Sequence, residues 1–192
     1  LVRRTILEAR RRNGEVGKDI SFVVASNLAL LTDEHLSFFK ENDVYLSTSL
    51  DGPRELHNKN RPRPGDNSYQ RAVLGIEKAR SELGHDHVSA LMTTTPSSLE
   101  FPEQIVDEYV RLGFGSIFLR SLSPYGFATR GGYSDEYSSE AWQRFFERAL
   151  RRVIEVNQEG TFLREEYTAL LVSRMLTSFP TGFVDLQSPA GL

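Results

Sequence analysis

The sequence contains no cysteine in its 192 residues. That excludes disulfides, thiolate metal sites and cysteine nucleophiles within this stretch, while leaving flanking sequence open. Long apolar runs are missing too, and none approaches the roughly 20 residues that a membrane helix needs. The opening Leu1-Val2-Arg3-Arg4 lacks the apolar segment of a secretory leader. A cytoplasmic location is therefore expected, with no membrane partner. A large excess of either charge is absent as well. The net charge of −3 does not point to a polyanionic partner, and nucleic-acid binding would require a strongly basic face. The four histidines, His35, His57, His85 and His87, show no metal-ligand spacing. His85 and His87 could chelate a metal, but they read more simply as a polar turn before a strand. No Gly-rich phosphate loop, Gly-x-Gly-x-x-Gly, Gly-x-Ser-x-Gly elbow or His-Glu-x-x-His is present.

What is there belongs to a soluble globular domain. Its hydrophobic fraction of 39% and charged fraction of 26% are ordinary, and the chain is long enough to bury a core. Arg4 to Arg12 reads as the end of a helix stopped by Asn13-Gly14. Ile20 to Ala25 reads as a buried strand. Thr32-Asp33-Glu34 supplies a capping hydroxyl and acids for a helix start. Val44 to Leu50 is a strand ended by Asp51-Gly52-Pro53, and a polar loop is expected to follow as far as Asp66. A helix capped by Asn67 or Ser68 then carries Tyr69, Ala72, Ile76 and Ala79, and Gly84 is a left-handed stop.

The cycle repeats with a strand over His87–Thr94, a helix over Phe101–Leu112 closed by Gly113, and a strand over Ser116–Leu122. Gly131-Gly132 marks a loop. Ser138 or Ser139 caps a long helix carrying Trp142, Phe145 and Phe146, and a last helix runs from about Phe162 to Phe179. Strands alternating with helices imply parallel pairing through right-handed crossovers, so the class is α/β. An open doubly wound sheet and an arc of a β/α barrel both satisfy this pattern. The first residue is not methionine and the tail Leu186–Leu192 consists of turn formers, so both ends are expected to lie inside a longer chain.

Ligands in such folds bind at the C-terminal ends of the strands. Those ends offer Ser26 and Asn27, then Ser47, Ser49 and Asp51 with His57 and Arg61 beyond, then Thr93-Thr94-Thr95, then Arg120 and Ser121. This rim is polar with few titratable groups. It suits a polar cofactor better than a hydrolytic site.

The most distinctive string is Ser47-Thr48-Ser49-Leu50-Asp51-Gly52-Pro53, continuing through His57-Asn58 to Arg61. It resembles the fourth strand and following loop of radical S-adenosylmethionine enzymes of the SPASM-containing peptide-maturase type. Asn67 to Ile76 resembles the next helix of that family. Val24 to Leu31 resembles its third-strand turn, with Ser26 and Leu28 departing from the usual Thr-Asn-Gly. The resemblance covers about Ile20 to Pro124. Leu119 to Ala128 is similar to the maturases of His-Xaa-Ser peptide systems.

The resemblance implies a partial (β/α)6 barrel in which the strands present are the third to sixth. Residues 1–135 would form that partial barrel, and residues 136–192 a helical segment leading toward a SPASM-like region. The cofactors implied are S-adenosyl-L-methionine and a [4Fe–4S] cluster whose cysteine ligands lie outside this sequence. Reductive cleavage of the first at the second gives a 5′-deoxyadenosyl radical, which takes hydrogen from a peptide or protein substrate; an external electron donor is needed. Ser49, Asn27, Arg61 and Arg120 map onto cofactor-binding positions, with Arg61 a partner for the cofactor carboxylate. Asp51 maps onto a position that orients ligand groups or handles protons or hydrogen.

Each residue also has a plainer reading. Ser49 can satisfy a strand-end backbone group, Asp51 can close its turn, Arg61 can be a solvated loop charge, and Asn27 a turn residue. His57 is expected to pack or cap in its loop. Two other functions remain open from the residues alone. One is a barrel lyase or hydrolase, against which stands the absence of lysine at the strand ends. The other is a noncatalytic domain that binds a peptide or partner.

Overall fold

The structure, a computed structural model, describes residues 1–121 and 137–178. The elements in chain order are α1 (Val2–Val16), β1 (Phe22–Ala25), α2 (Asp33–Glu41), β2 (Val44–Ser49), α3 (Arg54–Asn60), α4 (Ser68–Leu83), β3 (Val88–Leu91), α5 (Pro102–Arg111), β4 (Ser116–Ile117), α6 (Ser139–Gln158), β5 (Arg164–Glu165) and α7 (Glu166–Leu176). Short 3-10 turns occupy His85–His87 and Pro96–Glu100. The class is α/β, with every strand pair parallel. The strands make a three-stranded and a two-stranded sheet, and among the described residues no closed barrel forms. The chain divides into two compact units, Leu1–Leu50 with Arg61–Leu91, and Asp51–Asn60 with Met92–Leu192.

The first unit is built on the sheet β1-β2-β3. Its register places Val24, Leu46 and Val88 in one row. Strand side chains alternate between faces, and this row belongs to the face packed by helices. Helix α4 turns Tyr69, Ala72, Ile76, Ala79 and Leu83 inward at helical spacing. Helix α2 adds Leu36, Phe38 and Phe39. Thr32 caps α2 as expected, its hydroxyl accepting from the His35 amide while His35 Nδ1 accepts from the Thr32 amide. Gly75 lets the turn after β1 close onto α4, since a Cβ there would lie 2.8 Å from Leu28 Cβ.

The opposite face is different. Ala25, Ser47 and Ser89 form a second row, flanked by Val23 and Leu91, which are 63% and 46% exposed. Small and polar side chains therefore line a face that no helix of this unit packs against.

The second unit centres on the packing of α5 against α6. Ile105, Val106 and Tyr109 of α5 and Phe145, Ala149, Val153 and Val156 of α6 are all buried. Outside this seam runs a two-rung ionic ladder, Glu103 to Arg148 at 2.7 Å and Asp107 to Arg152 at 2.8 Å. The Arg148 guanidinium, through its hydrogen bonds, holds Glu103 below its ordinary value of 4.5. A carboxylate lowered in the folded state adds stability that is present above that ordinary value and lost as pH falls through the folded one. Glu103→Gln should therefore be less stable than wild type at neutral pH, by ~0.2–1 kcal/mol as for exposed pairs. Urea melts should show that gap closing below about pH 4.5. A gap that stays constant with pH would disprove the assignment.

Several boundaries differ from those expected. Helix α1 runs past Asn13-Gly14 to Val16, and Gly17 is its left-handed stop at φ 67. Arg11 and Arg12 both pair with Glu8, and the Asn13 side chain bridges to the Lys18 backbone. These contacts carry the helix through a glycine that costs about 1 kcal/mol relative to alanine. The stretch after Pro53 is not all loop, because α3 occupies Arg54–Asn60 and buries Leu56, His57 and Asn58. Gly84 has φ 95 with ψ 157, a positive φ on an extended backbone rather than a left-handed helical stop. The ladder of β4 covers Ser116–Ile117 only. In place of one helix from Phe162, the chain forms β5 and then α7. Gly131-Gly132, Phe179 and Leu186–Leu192 lie outside the described residues.

Candidate functional site

In the first unit, the sequence-derived candidates are Asn27, Ser49 and Arg61. Asn27 follows β1 and is exposed. Its Oδ1 accepts the Ala29 amide at 3.1 Å, and Ser26 Oγ accepts the Leu28 amide at 3.1 Å. These are Asx-type turn bonds, and they carry Leu28 at φ 58. Asn27 is therefore a turn former whose acceptor oxygen is engaged. Ser49 is the last residue of β2, half-buried and paired in register with Leu91. The next amide, Leu50 N–H, donates to the Leu91 carbonyl at 3.0 Å, so the backbone beyond Ser49 is held by the ladder. Arg61, directly after α3, is half-buried.

In the second unit the candidates are Asp51 and Arg120, joined by two adjacent threonines. Asp51 is 1% exposed. Its Oδ1 accepts the Thr93 amide at 2.9 Å, and its own amide donates to His57 Nδ1 at 3.2 Å. With Nδ1 accepting, a neutral His57 ring carries its proton on Nε2. Thr94, fully buried, donates its hydroxyl to the Arg120 carbonyl at 2.6 Å. Thr95 donates to Asn60 Oδ1 at 3.0 Å, and its amide donates to Ser98 Oγ at 3.1 Å. The three threonines thus tie the Asp51 turn, the Arg120 strand end and the end of α3 to one short segment. His57 fills the packing and capping place expected of it.

The side chain that sequence reasoning passed over is Glu165. It is buried, and its carboxylate accepts three backbone amides: Leu119 at 3.0 Å, Tyr167 at 3.1 Å and Thr168 at 2.5 Å. Two of these bonds cap α7, and the third holds the residue before Arg120. An acid placed just ahead of Glu166 and an apolar run was a readable cap signal. Its long-range bond was not readable.

His87 Nε2 lies 2.9 Å from Asp43 Oδ1, and its ring stacks on Tyr45 with centroids 4.6 Å apart. Among the described residues no cluster of three or more His, Asp or Glu is placed to hold a metal. The arrangement offers hydroxyls, amides and guanidinium groups that can hold a polar ligand. No helix among the described residues is long and apolar enough to cross a membrane.

No family model matches the sequence. Over 90% of its length the chain superposes on a solved structure of native anSMEcpe with bound AdoMet and the Cp18Cys peptide, at TM-score 0.70 and 17% identity, covering 48% of that chain. A second structure, native anSMEcpe with bound AdoMet, gives TM-score 0.69 at 18% identity over 88% of this chain and 46% of that one. The fold is shared with anSMEcpe. Among curated proteins, an uncharacterized protein of Methanothermobacter thermautotrophicus is 35% identical over 94 residues, 48% of this chain and 34% of that protein. A serine-type anaerobic sulfatase-maturating enzyme of Bacteroides thetaiotaomicron is 38% identical over 61 residues, 31% of this chain and 15% of that enzyme.

The chain thus spans about half the length of the solved neighbours and about a third of the first curated relative. The narrower likeness to His-Xaa-Ser maturases gains no support. The named relative is of the sulfatase-maturating kind, and Leu122–Ala128 of that string lies outside the described residues.

Proposed function

We propose that this chain is the S-adenosylmethionine-binding part of a radical enzyme that modifies a peptide or protein side chain, by analogy with the sulfatase-maturating enzymes. The observation that carries this reading is a coincidence of sequence and fold. The Ser47–Arg61 string of that enzyme type sits on a fold shared with a protein solved with AdoMet bound. The named relative and the peptide-bound neighbour favour a peptide or protein substrate, and an external electron donor is part of the same proposal. We read the strands as the third to sixth of a partial barrel within residues 1–135, with residues 136–192 leading toward a further region.

The residues present fit the cofactor. Ala25, Ser47 and Ser89 share one face of the sheet, and the hydroxyls of the two serines can accept and donate. Cluster ligands cannot come from these residues, which include no cysteine. When bound, the two cofactors would supply the one-electron chemistry that removes a hydrogen atom from a substrate side chain. This chain's own residues would bind and orient. Ser49, at the end of β2, would hydrogen-bond the amino-acid end of S-adenosylmethionine. Arg61 and Arg120 would offer guanidinium groups to its carboxylate. Asn27 would hold the turn that borders the site. Asp51 is buried and accepts the Thr93 amide, so it would hold the rim in shape beside any part in handling protons.

The test is anaerobic reconstitution of the intact protein with iron and sulfide, followed by reduction in the presence of S-adenosylmethionine. Release of 5′-deoxyadenosine is the expected result. Ser49→Ala and Arg61→Ala should each weaken cofactor binding by roughly tenfold, the weight of one hydrogen bond to a charged group. A protein that carries its cluster yet never cleaves the cofactor would leave the noncatalytic binding domain as the better reading.

A further inference from the structure

Glu165 is buried, and capping a helix accounts for only part of what it does. A helix N-terminus leaves four amides without intrahelical partners, and Glu165 accepts from two of them, those of Tyr167 and Thr168. The same carboxylate reaches 46 residues back to the Leu119 amide at 3.0 Å. Arg120 follows at once. Its carbonyl is held from another direction by the fully buried Thr94 hydroxyl, at 2.6 Å. Its amide donates to the Phe118 carbonyl at 3.0 Å. The backbone on both sides of the Arg120 Cα is thus fixed by side chains from two other segments, while the Arg120 side chain itself is exposed.

Such an arrangement sets the direction of a side chain rather than the stability of a strand, since the β4 ladder itself ends at Ile117. A long guanidinium on an unheld backbone would lose rotamer and backbone freedom on binding. One on a clamped backbone has lost part of that freedom already. S-adenosylmethionine has a single anionic group, its carboxylate, and that is the group a guanidinium binds best.

We propose that Glu165 and Thr94 are positioning residues that aim Arg120 at the carboxylate of the bound cofactor. The proposal rests on the cofactor reading given above. It predicts that both residues govern discrimination between ligands with and without that carboxylate, through Arg120 and not through overall affinity.

The experiment measures dissociation constants of S-adenosylmethionine and of 5′-methylthioadenosine, which lacks the amino-acid carboxylate, by calorimetry on the intact protein. Wild type should prefer S-adenosylmethionine. Arg120→Ala should lower that preference by about tenfold. Glu165→Ala leaves the Leu119 amide without its acceptor Oε1, and Thr94→Val has no hydroxyl. Both should lower the preference several-fold while binding 5′-methylthioadenosine as wild type does. Thr94→Ser should retain it. In the Arg120→Ala background, Glu165→Ala should add nothing, as expected of residues acting through one another.

A preference that falls in Arg120→Ala but stays intact in Glu165→Ala and Thr94→Val would overturn the positioning role alone. Equal weakening of both ligands in those two variants would also overturn it, marking them as merely structural. No binding by wild type, or a preference that Arg120→Ala leaves unmoved, would overturn the cofactor reading and this proposal with it.

Discussion

Gly52→Ala should destabilise the protein by about 2–6 kcal/mol, enough to unfold much of a domain whose whole stability is about 5–15 kcal/mol. Two independent costs combine. The backbone at Gly52 has φ 127, a conformation that costs a residue with a Cβ about 1–3 kcal/mol. The added Cβ would also stand 2.8 Å from Ile105 Cγ1 and 3.2 Å from Leu56 Cδ2. Ile105 is fully buried and cannot swing away, so overpacking adds about 1–3 kcal/mol. Denaturant melts of the two proteins side by side decide it. An alanine variant with an unchanged midpoint would mean that the turn after β2 is not held as described. Gly65 is the internal control: its φ is also positive at 87, but its nearest neighbours to an added Cβ lie 3.9 Å away. Alanine there meets the backbone cost alone.

Asp51→Ala should cost about 1–3 kcal/mol, the desolvation penalty of a buried amide left without its acceptor. The amide is that of Thr93, 42 residues away. Asp51→Asn should cost less, because an amide oxygen can take the place of Oδ1. The pair of variants also separates two roles for this residue. If Asp51 only shapes the rim, Asp51→Asn keeps both cofactor binding and 5′-deoxyadenosine release. If it moves a proton, Asp51→Asn melts like wild type yet loses turnover. Equal destabilisation by both substitutions would deny the Thr93 bond.

Much of the first unit was legible in the sequence because its order is local. Val44–Ser49 is a run of β-branched and apolar residues ended by Asp-Gly-Pro, so β2 needed no tertiary information. Thr32 ahead of Asp33-Glu34 marked the start of α2 for the same reason. The inward stripe of α4 followed from spacing alone. Where the reading failed, long-range or compensating contacts decided the outcome. Gly14 sits inside α1 because ion pairs on Glu8 and the Asn13–Lys18 bridge outweigh a single glycine.

Helix α3 was hidden because Arg54–Asn60 is polar in composition. Only the fold shows that His57 and Asn58 are buried, His57 accepting the Asp51 amide. The candidate site divides in the same way. Ser49 and Arg120 were legible as strand-end residues of a β/α pattern. Thr94 was legible as a strand-end residue but its bond to Arg120 was not, and Glu165 was not legible as part of a site, because their partners lie 26 and 46 residues away in the chain. A buried carboxylate that binds only backbone amides leaves no pairing signal in the sequence.

The division of the chain also bears on how the protein is made. The second unit takes residues 51–60 out of the middle of the first and then resumes at Met92. No single cut in the chain separates the two. During synthesis Asp51 leaves the ribosome 42 residues before Thr93, which at ~5–20 residues per second is a delay of roughly 2–8 seconds. Through that interval the Asp51 carboxylate has water in place of its native donor, and α3 has no buried seat. The first unit can collect its own strands while this segment remains an unsettled loop. The Asp51 turn is seated only when Thr93 arrives, and the backbone before Arg120 waits longer still, for Glu165 to reach the Leu119 amide.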